Sequence, residues 1–327
     1  MSIKYDKNNL FVRGEKINYS YSLGKRHDGT EMIMPLISAA GMKDGPVVGI
    51  VTGVHGDEYE GPEALRRFID NLDLSSLKGT VIATPHANVF ALESINRTGW
   101  IDYLDMNRSY PGREDGYLTE RASNIIVEEI VEQSDYLIDL HSAGLAFDLE
   151  PFVGFNNTDD EPGRESFELA TKFGIPLIYQ SAPFPKMLTL EGHKRKIPSI
   201  LVEAGGEGRC KEEAVKIMIQ GLENILNHLG MIEKKVNQTV KEFSLIKAPS
   251  TGAFVHSPSS GILQSKVKVG DEVSKGERLG EIVDVFGKHM AEVKAPVDGI
   301  VLIARTIPSV SLGDWTYEVV EVLKKWS

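Results

Sequence analysis

The hydrophobic pattern changes rhythm along the chain. The first 45 residues read as short strands and turns, with Gly14, Gly24 and Gly41 as punctuation. From Pro46 the apolar positions become continuous. Val47 to Val54 is a β-branched run, the signature of a strand buried on both faces of a parallel sheet. Leu65, Phe68, Ile69 and Leu72 then recur at the spacing of an amphipathic helix over residues 60 to 72. Strands are expected at Thr80 to Thr84, in YLIDLHS (136 to 142) and in IPSILVEAGG (197 to 206). Helices are expected over roughly 119 to 133, near 164 to 173 and from about 211 to 230. Strands alternating with helices give an α/β fold: a mixed, mostly parallel sheet flanked by helices.

After Leu229-Gly230 the helical period ends. A charged link, EKKVNQTVKE, leads into a tail of glycines, prolines and short strands that repeats itself. SPSSG at 257 to 261 answers APVDG at 295 to 299, and KVGDEV at 268 to 273 answers SLGDWT at 311 to 316. Two similar β-halves predict a small all-β barrel-sandwich built by duplication. The chain thus divides into N-terminal strands (1–45), a catalytic domain (46–240) and the barrel (241–327).

Composition narrows the function classes. At 327 residues, 41% hydrophobic and 25% charged, the sequence is that of a soluble globular protein. No apolar run reaches membrane-spanning length, and MSIKYDKNNL is too polar for a secretory signal. The lone Cys210 excludes an internal disulfide and suits a reducing, cytoplasmic setting. A net charge of −11 argues against nucleic acid and anionic membranes, but local arginines can still receive a small anionic substrate.

The candidate chemistry sits where apolar strands turn polar. GVHGDEYEG (53 to 61) places His55 three residues before Glu58, at a strand end and helix start. Alone, this pair favours a polar loop with an incidental histidine over a site. His141, at the end of LIDLHS, adds a third group, and two imidazoles with a carboxylate suit zinc with a fourth position left for water. Asp139 lies two residues earlier on the same strand face and is placed to orient that imidazole, or to serve as a buried structural acid. LDMNRSYPG (104 to 112) sets Asn107 beside Arg108, with Arg97 ten residues before Asn107. Arginines can hold a carboxylate or stabilise an oxyanion, although in loops they are commonly just solvated. Glu203 ends the strand SILVE, where partial desolvation would raise its pKa toward that of a general base, the alternative being a strand-end acid that faces solvent. Asp57 and Glu60 read as incidental. His86 and His193 read as loop histidines, HKRK (193 to 196) as a solvated strand lead-in, and Glu128, Glu129 and Glu132 as a solvent face.

Four ordered motifs, HGDE (55 to 58), DMNRSYPG (105 to 112), DLHS (139 to 142) and VEAGG (202 to 206), resemble the succinylglutamate desuccinylase/aspartoacylase family of the zinc-carboxypeptidase-like fold. The resemblance spans residues 46 to about 230. It implies one Zn2+ per chain held by His55, Glu58 and His141, with Glu203 activating the attacking water. It further implies that Asn107 and Arg108 hold a substrate carboxylate and that Arg97 polarises the scissile carbonyl. The interval from Arg97 to Asn107 is longer here than in aspartoacylase, and no counterpart of the tyrosine that closes over carboxypeptidase substrates is assignable. The implied activity is removal of an acyl group from a small N-acylated amino acid or amine. A metallocarboxypeptidase acting on short peptides shares the same logic.

The tail resembles biotinyl/lipoyl-type domains in VGDEVSKGERLGEI (269 to 282) and VKAPVDGIV (293 to 301). In carriers the modified lysine lies on the hairpin between halves, flanked by methionines. Lys288 occupies that place but stands between Gly287 and His289. The tail therefore reads as an unmodified barrel that shapes substrate access or a homo-oligomer contact, and the remaining alternative is a carrier or binding module with a decayed site.

Overall fold

A computed structural model of the chain describes residues 3–4 (backbone only), 10–234, 240, 242–249 and 254–327. Much of the link at 233–242, including 235–239 and 241 on either side of the expected boundary, lies outside the described residues.

The β-branched run forms the strand Lys43–Thr52, at the heart of a large mixed sheet. It lies parallel to Lys78–Thr84 on one side and to Tyr136–His141 on the other. Tyr136–His141 in turn lies parallel to Ser199–Glu203. In that register Glu203 pairs with His141, so the two strands deliver these side chains side by side. The N-terminal hairpin, Lys16–Lys25 with Glu31–Ala40, continues the sheet antiparallel beyond Lys78–Thr84. On the opposite side Phe152–Asn156 runs antiparallel to Ser199–Glu203, and parallel Leu177–Ser181 and Phe243–Lys247 extend the sheet further.

Helices cover both faces. Glu60–Asp70 buries Leu65, Phe68 and Ile69 in one core together with Phe173 of Glu161–Phe173 and Met218 and Leu222 of Glu212–His228. The other face is closed by Val89–Ser94 and Leu118–Glu129, through Phe90, Ile125 and Ile126. Local sequence sets the ends of Glu161–Phe173. Asp160 caps its start by accepting the Gly163 N–H at 3.2 Å, and Gly174 ends it at φ +97°, a conformation that costs glycine nothing.

The tail folds as two facing sheets around Leu279, Ile282, Val293, Val301, Tyr317 and Val319. The repeated motif makes the same turn twice. In one copy Gly270 has φ +84° and Asp271 accepts the Lys268 N–H at 2.9 Å; in the other Gly313 has φ +88° and Asp314 accepts the Ser311 N–H at 2.9 Å. The strand Trp315–Trp326 joins the two structures. Its first half pairs with Phe254–His256 and Gly299–Arg305 of the barrel, and its last residues pair with Phe243–Lys247 at the edge of the large sheet. Phe147–Leu149, just after the His141 strand, also pairs with Gly299–Arg305. Apolar residues fill this seam, among them Phe152, Leu177, Leu302 and Val320. Within it, the Tyr179 hydroxyl donates to the buried Glu318 carboxylate at 3.0 Å.

Two expectations are corrected. Residues 193 and 194 of HKRK end the helix Leu188–Lys194, because Leu188, Thr189 and Gly192 turn inward against the sheet. Glu129 is buried on the inner side of its helix, whereas Glu128 and Glu132 face solvent.

Candidate metal centre and catalytic cleft

The parallel strands Lys43–Thr52, Tyr136–His141 and Ser199–Glu203 end at one rim of the sheet, the usual place for function in an open α/β fold. His55 and Glu58 lie in the turn between Lys43–Thr52 and Glu60–Asp70. Glu58 Oε1 is 2.6 Å from His55 Nδ1, and its Oε2 is 2.9 Å from His141 Nδ1. The Ser142 N–H also donates to Oε2 at 3.2 Å. All three side chains are buried, and one ligand atom from each lies within 4.8 Å of the others.

The outward nitrogens are held as well. His55 Nε2 is 3.2 Å from Asp105 Oδ1, and His141 Nε2 is 3.0 Å from Asp139 Oδ2. Each imidazole therefore turns Nδ1 toward Glu58 and Nε2 toward a carboxylate, an arrangement that fixes ring orientation at a metal site. Two imidazole nitrogens and a carboxylate, preset in this way, fit a divalent cation such as zinc. Sequence reasoning singled out Asp139 but passed over Asp105, although Asp105 lies inside the DMNRSYPG motif. The missed signal was its position as N-cap of the short 3-10 helix Met106–Arg108, where its Oδ1 accepts the Asn107 N–H at 2.9 Å.

Arg97 reaches Asp105 through Nε at 3.0 Å and lies 3.4 Å from His55 Nδ1. Asn107 is buried, its side-chain Nδ2 3.5 Å from His141 Nε2 and its side-chain Oδ1 accepting the Leu188 N–H at 3.2 Å. Arg108 donates to the Asn107 carbonyl and sits 4.7 Å from the Phe184 ring centre. Among the described residues no carboxylate forms an ion pair with Arg108. All eight candidate residues thus gather at the same rim. His86 and His193 do not join the cluster: His86 is half-buried against Gly53, and His193 pairs with Asp160 at 3.1 Å.

The electrostatics separate the carboxyls. Burial alone would raise the Glu58 pKa, but the two histidines override it and hold the group far below the ordinary range. At Asp105 burial is likewise outweighed, by His55 and Arg97. Glu203 behaves in the opposite way. Desolvation, helped by the nearby Glu58 and Asp139 charges, pushes it well above the usual value despite His141 and Arg97. Its Oε2 is sealed from solvent and has no hydrogen-bond partner among the described residues. Asp57 and Glu60, incidental by sequence, are also engaged: Asp57 Oδ2 accepts the Leu145 N–H at 2.8 Å, and Glu60 Oε1 accepts the Gly206 N–H at 3.0 Å.

Comparison with known proteins decides the family. Residues 44–229 match the succinylglutamate desuccinylase/aspartoacylase catalytic domain. The chain belongs to this family. Residues 244–304 match a second domain, described as "Biotin-requiring enzyme". One curated relative is the N-alpha-acetyl-L-2,4-diaminobutyric acid deacetylase of Halomonas elongata, 31% identical over 86% of this chain and 84% of its own. Among solved structures, the product-bound ectoine utilization protein EutE (DoeB) of Ruegeria pomeroyi is 25% identical. It has a TM-score of 0.88 over 95% of this chain and 97% of its own. A succinylglutamate desuccinylase/aspartoacylase from Rhodobacter sphaeroides is 27% identical, with a TM-score of 0.88 over 98% and 99%. The family assignment makes the chain a hydrolase of the deacylase kind, and its members share this mixed α/β fold.

Proposed function

We propose that this protein is a zinc-dependent amidohydrolase that removes an acyl group from a small N-acylated amino acid, acting in the cytoplasm. The observation that carries the reading is the convergence of His55 Nδ1, His141 Nδ1 and Glu58 beside a desolvated Glu203. The family and the Halomonas deacetylase support the deacylase class, and the lone cysteine supports the compartment. The working domain division stays at 46–240 and 241–327, supported by the extents of the two domain matches.

His55, Glu58 and His141 hold the ion in this reading, with Asp105 and Asp139 keeping the rings aimed. Zinc bound there supplies a lowered pKa for water and polarisation of the amide carbonyl. Glu203, whose raised pKa brings its proton affinity closer to that of its task, takes the proton from attacking water and returns it to the leaving amine. Arg97, anchored by Asp105, donates to the oxygen that becomes negative as the carbonyl turns tetrahedral. Asn107 and Arg108 receive the substrate carboxylate; the absence of a carboxylate partner for Arg108 among the described residues leaves its guanidinium free for that bond.

The test is a substrate panel of N-acetyl and N-succinyl amino acids, including N-acetyl-diaminobutyrate, and short peptides, with released amine as readout. Deacylation should disappear on chelation and return with zinc. Full activity of the metal-free protein would overturn the metal role. Release of C-terminal amino acids without deacylation would favour a carboxypeptidase instead.

A further inference from the structure

Glu60 opens the helix Glu60–Asp70, two residues after Glu58, and is completely buried. Its Oε1 accepts the N–H groups of Gly206 at 3.0 Å and Lys211 at 3.4 Å, and the Ser142 hydroxyl is a further polar neighbour of its carboxyl. The turn it meets is built around it. Gly205 has φ +92°, and a Cβ there would fall 2.2 Å from Glu60 Oε1. Gly206 has φ +149°, and a Cβ there would fall 2.4 Å from the Phe147 carbonyl oxygen. On its other side the same turn is tied to the His141 segment, through Ala204 N–H to His141 O and Ala143 N–H to Gly205 O, both at 3.2 Å.

Glu203 immediately precedes this turn. With no hydrogen-bond partner for its Oε2 among the described residues, the aim of its carboxyl depends on the packing around the buried side chain and on the backbone at the strand end. We infer that Glu60 is a positioning residue for Glu203, clamping the Gly205–Gly206 turn so that the base is fixed against the helix beginning just beyond Glu58. The inference rests on the proposed role of Glu203 as base. Geometry is the whole of the effect, and a displacement of about 1 Å near reacting atoms can cost a hundredfold in rate.

The test compares Glu60→Gln, Glu60→Asp and Glu60→Ala in the full, zinc-loaded chain. Readouts are kcat and KM on the substrate that the panel identifies, zinc content, and amide hydrogen exchange of residues 204–211. Gln keeps an acceptor oxygen at the right reach, whereas Asp keeps the charge but falls short of the turn. A clamp therefore predicts near-normal kcat for Glu60→Gln. It predicts a loss of about tenfold or more in kcat for Glu60→Asp and Glu60→Ala, with KM within about twofold and one zinc retained. Exchange at 204–211 should quicken in the Asp and Ala variants only. If Glu60→Ala fails to fold, the Gln and Asp pair decides. Asp matching wild type while Gln fails would replace the clamp with a charge role, and equal kcat in all soluble variants would overturn it. Loss of zinc or melting without a kcat split would make Glu60 merely structural. Absence of deacylation by the wild-type chain would instead count against the proposed function, and the exchange comparison would still judge the clamp.

Discussion

Among the carboxyls around the two histidines, Glu58 and Asp105 each meet an imidazole and are held low, whereas Glu203 is left with a bare oxygen and held high. The contrast supports the proposed division, in which Glu58 holds the metal, Asp105 steadies the His55 ring and Glu203 moves the proton. Glu203→Gln should keep its zinc, measured by elemental analysis, and lose about 10²–10⁴ in kcat, the usual worth of a general acid–base group. A base acts in its deprotonated form, so activity rises with pH through its pKa. Because that pKa is raised, the acid limb of the kcat/KM profile should lie above the ordinary glutamate value of 4.5. Asp105→Asn should weaken zinc binding about 10–100-fold in a competition titration, because the His55 ring loses its charged anchor. Asp105 also shows where sequence reading stops. The motif containing it was legible, but its contact with His55, 50 positions away, depends on how the 97–108 loop folds over the rim.

At the scale of elements, periodicity located most strands and helices of the catalytic region, because each buries one regular stripe or run. The strands Leu177–Ser181 and Phe243–Lys247 and the helix Leu188–Lys194 escaped the periodicity. The Tyr179–Glu318 contact joins positions 139 apart and is invisible to any local pattern. Burial pushes Glu318 from 4.5 up to about 7, against the hydrogen bond from Tyr179. The folded chain therefore holds this proton more tightly than the unfolded chain. The resulting stabilisation is complete below pH 4.5 and is lost as pH rises through about 7. The loss is on the order of 3 kcal/mol at most. Glu318→Gln should flatten the pH dependence of Tm between pH 5 and about 8 and raise Tm at the alkaline end, as thermal melts across that range would show.

For the whole molecule, four motifs in order sufficed to read the family, because the topology returns each of them to one rim of the sheet. What the barrel does was less legible, since its repeat specifies a shape and not a chemistry. The intermediate hairpin, held by Asp284 accepting the Phe286 and Lys288 N–H groups at 2.9 Å, leaves Lys288 exposed between halves. Without methionines on both sides it lacks the carrier signature, so a peptide containing Lys288, taken from the protein in its native host, should show no added mass. A biotin or lipoyl increment would make the barrel a carrier.

The strand Trp315–Trp326 belongs to the barrel at one end and to the catalytic sheet at the other, and Phe147–Leu149 crosses in the opposite sense. Two backbone ladders thus bolt the halves together, so swinging the barrel away would rupture paired strands. An opening of the cleft that spares these ladders has to come from segments without ladder bonds. The 182–187 loop is one: it carries Phe184 over Arg108 and ends where Leu188 binds Asn107. Among the described residues, the frame around the cleft is therefore continuous with the barrel through paired strands at two places.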